Sequence, residues 1–233
     1  MLANATSSQA PALRPGQLTL PYRKPQLGRD YWVKDHCLPN AEQVAQRCLS
    51  KDSWEKGYPY RRETWPGMRS AQALLPEELA DVEAWVRAQT GARRLWQERT
   101  PEGTSLNHNV AQLVGEKESG PRPHTDSLKL CRYAAVLYLT PQAPRHAGTS
   151  FYRLRLPSGA LGGHTCPPPH ANLREALGVT GLPLEAWKED VALPNVFNRL
   201  LLYRADLVHS ASAYFGIEPP ARRLTAVFFW MAE

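Results

Sequence analysis

Three residues with the chemistry of metal ligands lie in the second half of the 233-residue chain. His124 and Asp126 form an H-x-D pair in the segment GPRPHTDS, and His209 follows the apolar run of RLLLYRADLVHS. On a strand, or at its end, residues i and i+2 point to the same side, so the pair could face one metal ion. Two histidines and one aspartate make up the facial triad, which holds non-haem Fe(II) with positions open for a cosubstrate and O2. Taken alone the pair is weak, because a surface turn in which Asp126 bonds its own backbone gives the same pattern.

A basic residue and a hydroxyl residue follow on the last apolar run, RRLTAVFFW. Alternation along a strand puts Arg223 and Thr225 on one face, where a guanidinium and a hydroxyl could bind a carboxylate. Arg222 is the alternative to Arg223, since a change of register by one residue would turn it inward. The R-x-T pattern favours Arg223. Thr225 is also open to a plain interpretation as a β-branched strand residue.

Two helices are predicted ahead of these residues. Asn40 can cap a helix that runs to about Leu49, with Gln43 placed to return the bond as a capping box. The stretch LLPEELADVEAWVRAQTG predicts a second helix, because its apolar residues recur at helical spacing. Pro76 suits the first turn of that helix, and Gly91 suits its end.

From residue 105 onward, short apolar runs alternate with Gly and Pro turns. Strands at this spacing, with few helices between them, predict an antiparallel barrel or sandwich. The predicted strands are 109–115, 132–140, 150–156, 197–204 and 224–230. One long segment, 157–195, interrupts them, with a short helix ending at Gly178 and another near 184–189. A connection of that length is usually a lid or a binding loop.

The composition is that of a globular protein and excludes several classes. Apolar residues make up 42% and charged residues 21% of the chain, and the net charge is +6. No polybasic run stands out, so nucleic acid is not the expected partner, and the charge mildly favours an anionic or zwitterionic substrate. The longest apolar stretch, 226–232, is too short to span a membrane, and the N-terminus does not read as a secretion signal. The cysteines lack C-x-x-C spacing and are predicted to be free thiols in a reducing, cytoplasmic compartment; they are Cys37, Cys48, Cys131 and Cys166.

The order H-x-D, distal histidine and R-x-T resembles the Fe(II)/2-oxoglutarate-dependent oxygenases, and most closely their prolyl-4-hydroxylase-like branch. The resemblance covers roughly residues 105–233 and rests on PHTDS, CRYAAVLYLT, AGTSFYRL and VFNRLLLYRADLVHSASAYFG with RRLTAVFFW. It implies a mainly β fold with N-terminal helices, a double-stranded β-helix of the jelly-roll or cupin-like kind. It also implies one oxygenase domain over 1–233. In that domain 1–104 would form an arm and supporting helices, and 105–233 the barrel with 157–195 as its lid.

The resemblance implies a role for each motif residue. His124, Asp126 and His209 would be the catalytic iron ligands. Arg223 would pair with the distal carboxylate of 2-oxoglutarate, supported by Thr225 and by Tyr138 of the strand that ends YLT. Tyr138 is also open to interpretation as an ordinary strand aromatic. The family often supplies a cosubstrate tyrosine from the strand before H-x-D, whereas this chain has Gln112 or Val114 near that place.

The implied activity is hydroxylation of an unactivated C–H bond in a small molecule, amino acid or peptide, with release of succinate and CO2. Fe(II), 2-oxoglutarate and O2 would be required, with ascorbate as a candidate reductant. Because halogenating members carry a small residue in place of the aspartate, Asp126 implies hydroxylation and not halogenation. Two alternatives stay open, a non-catalytic jelly-roll binding module and a cupin-like metal enzyme that does not use 2-oxoglutarate. The oligomeric state is also open, with a homodimer among the alternatives.

The remaining chemically capable residues are expected to be structural. The histidines without a partner at ligand spacing are placed on the surface or in loops; they are His36, His108, His146, His164 and His170. Four tryptophans are expected in the core: Trp54, Trp65, Trp85 and Trp96. Arg204 and Asp206 are expected to pair at a strand end.

Overall fold

The computed structural model describes residues 20–56, 65–99, 103, 108–179 and 181–233. Its strands are β1 Tyr31–Lys34, β2 Glu55–Lys56, β3 Met68–Ala71, β4 Leu95–Trp96, β5 Val110–Val114, β6 Tyr133–Tyr138, β7 Thr149–Leu154, β8 Trp187–Leu193, β9 Leu200–Arg204, β10 His209–Ala211 and β11 Arg223–Ala232. Its helices are α1 Ala41–Leu49, α2 Pro76–Thr90 and α3 Leu173–Leu177, and short 3-10 turns cover Leu184–Ala186 and Pro219–Ala221. Among these described residues, no helix has both the length and the hydropathy needed to cross a membrane.

Two antiparallel sheets form a double-stranded β-helix, as the resemblance implied. The larger sheet has the order β1-β9-β6-β11-β5-β3-β2, with β4 paired to the end of β11, and the smaller has the order β10-β7-β8. Side chains from β6 and β9 meet those of β7 between the sheets, around Tyr138, Phe151 and Tyr203. Alternate side chains of these strands point into this shared interior.

The central strand β11 shows why the fold needs its N-terminal helices. Leu224 and Phe228 point outward and pack against α1 and α2 through Val44 and Val82, all 2% exposed or less. Thr225 and its alternate neighbours point into the barrel. Because both faces of the sheet are buried, β11 reads as a nearly continuous apolar run.

The two predicted helices are confirmed, with one correction at a terminus. Helix α2 ends at Gly91 in the left-handed conformation with φ of 73°, as predicted. Helix α1 follows Asn40, but the Asn40 side chain makes no capping bond. Its Nδ2 instead donates to Glu78 Oε1 of α2 at 2.7 Å. The predicted capping box with Gln43 is therefore wrong, because tertiary contact between the helices takes the side chain.

The five predicted strands correspond to β5, β6, β7, β9 and β11, and the helix ending at Gly178 is α3. The helix predicted near 184–189 is wrong. A single 3-10 turn covers Leu184–Ala186, and Trp187–Leu193 forms β8 along the edge of β7. Pairing with β7 satisfies the backbone of this segment, and that long-range partner is not visible in the local pattern. The connection between β7 and β8 is thus shorter than the predicted insertion 157–195.

Parts of the predicted N-terminal region 1–104 fall outside the described residues. They include residues 1–19 and 57–64. Just after the first of these stretches, Leu20 is buried against the connection between β7 and β8. Gly163 allows this approach, because a Cβ there would lie 1.9 Å from the Pro21 carbonyl oxygen.

Candidate metal centre and its cavity

His124, Asp126 and His209 come together at one end of the smaller sheet. His124 and His209 form an antiparallel backbone bridge. The N–H of His124 donates to the His209 carbonyl at 3.0 Å, and the N–H of His209 donates to the His124 carbonyl at 2.8 Å. The backbone N–H of Asp126 donates to the Ala205 carbonyl at 3.1 Å. One side-chain atom from each of the three residues lies within 4.8 Å of the other two. The chain therefore brings the predicted triad to one point across 85 residues of sequence.

Backbone carbonyls orient both imidazole rings. His124 Nδ1 lies 2.7 Å from the Arg122 carbonyl oxygen, and His209 Nδ1 lies 2.9 Å from that of Leu207. Because a carbonyl only accepts, each Nδ1 carries the hydrogen, and each Nε2 keeps its lone pair. The Nε2 atoms lie 3.9 and 3.6 Å from the carboxylate oxygens of Asp126. In metal sites, such a hydrogen bond from the far ring nitrogen fixes the tautomer and the orientation of the histidine that binds the metal.

Both imidazole rings of the triad are neutral near pH 7. Burial lowers the pKa of His209 to about 4. Desolvation and the neighbouring His209 also lower the pKa of His124. Burial raises the pKa of the Asp126 carboxyl to about 6. Asp126 Oδ2 is buried without a hydrogen-bond partner in the described structure. A buried carboxylate oxygen with no donor is costly unless a cation satisfies it, so the site fits a metal ion.

The triad opens onto a cavity of about 600 Å³ between the two sheets. Asp126 is the one acidic residue among the described residues that line it, and the cationic ones are Arg69, Arg122 and Arg223. The connection between β7 and β8 reaches the cavity at 181–184, whereas His164 and His170 are not on the described wall. The described wall of the cavity therefore carries more cationic than acidic side chains, together with the apolar residues Leu182 and Leu184.

Arg223 projects into this cavity, and Arg222 does not. Arg223 is 3% exposed, and its Nε and Nη2 donate to the carbonyls of Ala147 and Gly148 at 3.2 and 3.3 Å. No acidic side chain forms an ion pair with it in the described part of the chain. Arg222 turns outward and pairs with Glu118 at 3.2 Å. The register of β11 thus places Arg223 inside the barrel.

The other predicted cosubstrate residues lie deeper than the cavity wall. Thr225 is fully buried, and its Oγ1 has no hydrogen-bond partner among the described residues. Tyr138 is also fully buried, and its hydroxyl donates to Thr149 Oγ1 at 2.8 Å. Thr149, which the sequence did not single out, lines the cavity. On β5, Gln112 lines the cavity and Val114 does not appear on the described wall.

Several wall residues had no signal in the sequence. Tyr203 lies with its ring centroid 4.4 Å from that of His209, and Arg69 reaches the wall from β3. Trp65 was predicted to lie in the core but lines the cavity. Strand β3 is short and lies before residue 105, where the family resemblance begins. The alternation of its side chains could therefore not be linked to the site.

Two of the histidines predicted to lie on the surface or in loops are found in loops, and both are buried. His108 is 5% and His164 is 1% exposed. His108 packs between α2 and β11, and His164 lies beneath the segment that contains Tyr22. The predicted pairing of Arg204 with Asp206 is confirmed, at 2.7 Å.

Comparison with solved structures shows where this fold occurs. The non-haem alpha-ketoglutarate-dependent epimerase SnoN of nogalamycin biosynthesis is 18% identical, with a TM-score of 0.52 over 88% of this chain and 79% of SnoN. The non-haem alpha-ketoglutarate-dependent carbocyclase SnoK of the same biosynthesis is 14% identical, with a TM-score of 0.54 over 88% of this chain and 80% of SnoK. Likeness at this level of identity establishes the shared fold.

Sequence comparison gives a family without a known activity. No curated protein matches the chain. The model of the family of unknown function DUF6445 matches residues 22–160, more than half of the chain. That span includes the helices α1 and α2, strands β1 to β7 and the H-x-D pair, and it stops before His209 and Arg223. The protein is therefore a member of the family of unknown function DUF6445.

Proposed function

We propose that this protein is a non-haem Fe(II)- and 2-oxoglutarate-dependent oxygenase that hydroxylates a small molecule, amino acid or peptide. One observation carries the proposal: the His124–Asp126–His209 cluster shares a cavity with Arg223, a buried cation that has no acidic partner in the described structure. A binding module would need neither the metal ligands nor this arginine beside them. A cupin-like metal enzyme would need the ligands alone.

His124 Nε2, His209 Nε2 and an Asp126 carboxylate oxygen are the atoms assigned to Fe(II). The orphaned Asp126 Oδ2 and the hydrogen-bonded Nδ1 atoms support this assignment. When bound, Fe(II) with 2-oxoglutarate and O2 supplies an oxidant strong enough for an unactivated C–H bond, with succinate and CO2 as coproducts. The protein contributes placement, water exclusion and charge. Because Asp126 keeps its carboxylate at the ligand position, we expect hydroxylation and no halogenated product with chloride or bromide.

Arg223 is assigned to the distal carboxylate of 2-oxoglutarate. Its guanidinium is held by two backbone carbonyls, and it lies 5.5 and 5.8 Å from the rings of Tyr138 and Tyr214. A planar guanidinium restrained in this way can receive a carboxylate in bidentate fashion. Tyr138 and Thr225 are assigned to supporting positions beneath the cavity wall. Tyr138 acts through its hydrogen bond to Thr149, which lines the cavity.

The wider assignment combines the sequence motifs with the fold. The motif order favours the prolyl-4-hydroxylase-like branch, and SnoN, in complex with Fe3+, alpha ketoglutarate and nogalamycin RO, shows the same fold holding these groups with a small molecule. We propose one oxygenase domain over 1–233. All four cysteines are free, which supports a reducing, cytoplasmic setting. Ascorbate is the candidate reductant, and the oligomeric state stays open, with a homodimer among the alternatives.

An anaerobic titration tests the function directly. The metal-free protein is titrated with Fe(II) and then with 2-oxoglutarate, and the visible metal-to-ligand charge-transfer band of the chelated keto acid is recorded. We expect a saturable band in the wild type and none in His209→Ala. Arg223→Gln should weaken 2-oxoglutarate binding at least about tenfold, because it removes a charged hydrogen-bond donor.

Arg222→Gln is the matched control, because it removes the neighbouring guanidinium that faces outward. The control should bind 2-oxoglutarate like the wild type. Iron binding with no band would exclude the use of 2-oxoglutarate and leave the cupin-like enzyme. Absence of iron binding in folded wild-type protein would leave the jelly-roll binding module.

A further inference from the structure

One of the two carbonyls that hold the Arg223 guanidinium has a second donor. Arg223 Nε donates to the Ala147 carbonyl at 3.2 Å, and Asn195 Nδ2 donates to the same oxygen at 3.2 Å. A backbone carbonyl has two lone pairs, so one oxygen can accept both bonds. Because a carbonyl cannot donate, the Asn195 atom that faces it is the amide nitrogen. Asn195 and Arg223 are thereby linked through one backbone atom.

Asn195 lies buried in the connection between β8 and β9. It is 2% exposed, and its own backbone N–H donates to the Arg145 carbonyl at 2.9 Å. Its Oδ1 is buried without a hydrogen-bond partner among the described residues. An unpaired amide oxygen in the interior destabilises a protein. Folding alone therefore does not explain an asparagine at this position.

A glycine brings the second carbonyl to the same guanidinium. The Gly148 carbonyl accepts from Arg223 Nη2 at 3.3 Å and from the backbone N–H of Ser212 at 3.1 Å. A Cβ on Gly148 would lie 1.9 Å from a backbone carbonyl oxygen at the end of β8, so the chain can approach this closely only with glycine. The carbonyls of Ala147 and Gly148, which we call the arginine seat, are thus each held by one further donor, from Asn195 and Ser212 respectively.

The arginine seat determines which edge of the guanidinium stays open. The N–H groups of a guanidinium lie in one plane and form two forks, Nε with Nη2 and Nη1 with Nη2. The two carbonyls occupy the first fork, and Arg223 Nη1 makes no hydrogen bond within the described part of the chain. A carboxylate that binds Arg223 in bidentate fashion must therefore use the fork that contains Nη1. The direction of that fork follows from where the seat holds the other one.

We propose that Asn195 is a positioning residue for 2-oxoglutarate, because it holds the Ala147 carbonyl and thereby directs the Nη1 fork of Arg223 to the distal carboxylate. The inference rests on the proposed function, since it takes Arg223 as the anchor of 2-oxoglutarate. Asn195 is not among the described residues that line the cavity, so it acts through Arg223 and not on the cosubstrate itself. Without Nδ2 the carbonyl loses one of its two donors, and the guanidinium gains freedom to turn.

A comparison of two keto acids tests the inference. Metal-free protein is loaded with Fe(II) in the absence of oxygen, and the charge-transfer band is followed during titration with 2-oxoglutarate or with 2-oxopentanoate. Both acids chelate iron through the same keto acid end, but 2-oxopentanoate lacks the distal carboxylate. Asn195→Leu should weaken 2-oxoglutarate about threefold to tenfold, the range for one hydrogen bond, and leave 2-oxopentanoate within about twofold. A merely structural asparagine would affect both acids or neither.

The variant Arg223→Gln shows whether Asn195 acts through the arginine. In that background Asn195→Leu should change 2-oxoglutarate affinity by less than about twofold, because the group that it positions is gone. An equal effect of Asn195→Leu in both backgrounds would overturn the inference. An equal loss for both acids, or no loss for 2-oxoglutarate, would also overturn it.

Asn198→Gly is the matched control on the same connection. Asn198 Nδ2 donates to the Leu38 carbonyl at 2.7 Å, and its φ of 60° suits glycine. The control should leave the affinity ratio of the two acids unchanged, and a changed ratio would count against a specific role of Asn195. Should Asn195→Leu fail to fold, Asn195→Asp replaces it, because aspartate keeps the shape and lacks the donor. It should weaken 2-oxoglutarate at least about threefold and leave 2-oxopentanoate within about twofold.

The wild type separates this inference from the proposed function. If the wild type shows no band with either acid, the proposed function fails and the inference fails with it. If both acids give bands with equal affinity, Arg223 is not the anchor, and the inference fails while the use of a keto acid stands. If 2-oxoglutarate binds more tightly and Asn195→Leu behaves like the wild type, the inference alone fails.

Discussion

At the residue scale, two hydroxyl groups lie in series beside the proposed 2-oxoglutarate site. The Tyr138 hydroxyl donates to Thr149 Oγ1 at 2.8 Å, and of the two residues Thr149 lines the cavity. A threonine oxygen that accepts from a buried phenol has its own hydrogen left to donate elsewhere. Under the proposed function, we therefore expect Thr149 to contact the cosubstrate and Tyr138 to position Thr149.

Tyr138→Phe and Thr149→Val should each lower 2-oxoglutarate affinity by about threefold to tenfold, the usual range for one neutral hydrogen bond. Because the two hydroxyls act in series, the double variant should lose little more than either single variant. The charge-transfer titration measures all three, with Tyr133→Phe as the control on the same strand. Additive losses would show that the two side chains contact the cosubstrate independently.

At the element scale, strand β3 contributes Arg69 to the cavity wall, and the segment just before it contributes Trp65. Gly67, in that segment, lies where the chain approaches β5 closely. Gly67 has φ of +68°, and a Cβ there would lie 2.2 Å from the Leu113 carbonyl oxygen. A side chain would be strained by the backbone conformation and would also push β3 away from its partner strand. The position of Arg69 on the cavity wall therefore depends on a glycine two residues away.

Gly67→Ala should destabilise the protein by about 2–4 kcal/mol, from left-handed strain together with the clash. Gly91→Ala is the matched control, because Gly91 has φ of +73° but a Cβ at that position would meet nothing within 4 Å. That control should cost only about 1–2 kcal/mol. Urea unfolding measures both. Equal losses would mean that β3 moves away freely and that the close approach is not required.

At the scale of the whole molecule, His108 connects the helical layer to the barrel. Its Nδ1 lies 2.9 Å from the Phe229 carbonyl oxygen of β11, and its Nε2 lies 3.9 Å from Glu83 of α2. Glu83 also accepts from the Trp230 indole at 3.0 Å. Burial lowers the pKa of His108 to about 4, and the charge of Arg99 contributes in the same direction.

This depressed pKa makes the layer sensitive to acid. Between about pH 6.5 and pH 4 the unfolded chain protonates His108 while the folded chain does not, so the free energy of unfolding falls as pH falls. His108 alone should cost about 2 kcal/mol between pH 7 and pH 5, with the loss levelling off below pH 4. Urea unfolding of the metal-free protein at both pH values measures it, and the wild type should lose about 2 kcal/mol more than His108→Gln between pH 7 and pH 5. The depressed pKa of His209 contributes equally to both proteins, so an identical pH dependence in the variant would contradict the assignment.

The fold and the clustering of the three candidate metal ligands could be predicted from sequence because their determinants are local. Strand runs such as 132–140 carry their own period and turn residues, and His124 with Asp126 differ by the two residues that place both on one side of a strand. His209 follows one apolar run, and Arg223 begins another. Once these elements are recognised as a barrel, the alternation along β11 also favours Arg223 over Arg222, and the structure shows Arg223 inside.

The tertiary structure decided everything that depends on which elements are neighbours. Sequence alone could not place Arg69 and Trp65 in the cavity, because β3 reaches it only by pairing with β5. Nor could it place Thr149 between Tyr138 and the cavity, predict the strand that follows Leu184–Ala186, or bury His108 between α2 and β11. Each of these outcomes results from contacts between segments distant in the chain, where packing and hydrogen bonding override local propensity. The sequence by itself determined the type of fold and the ligand chemistry, and the assembled barrel determined the charge and shape of the cavity around them.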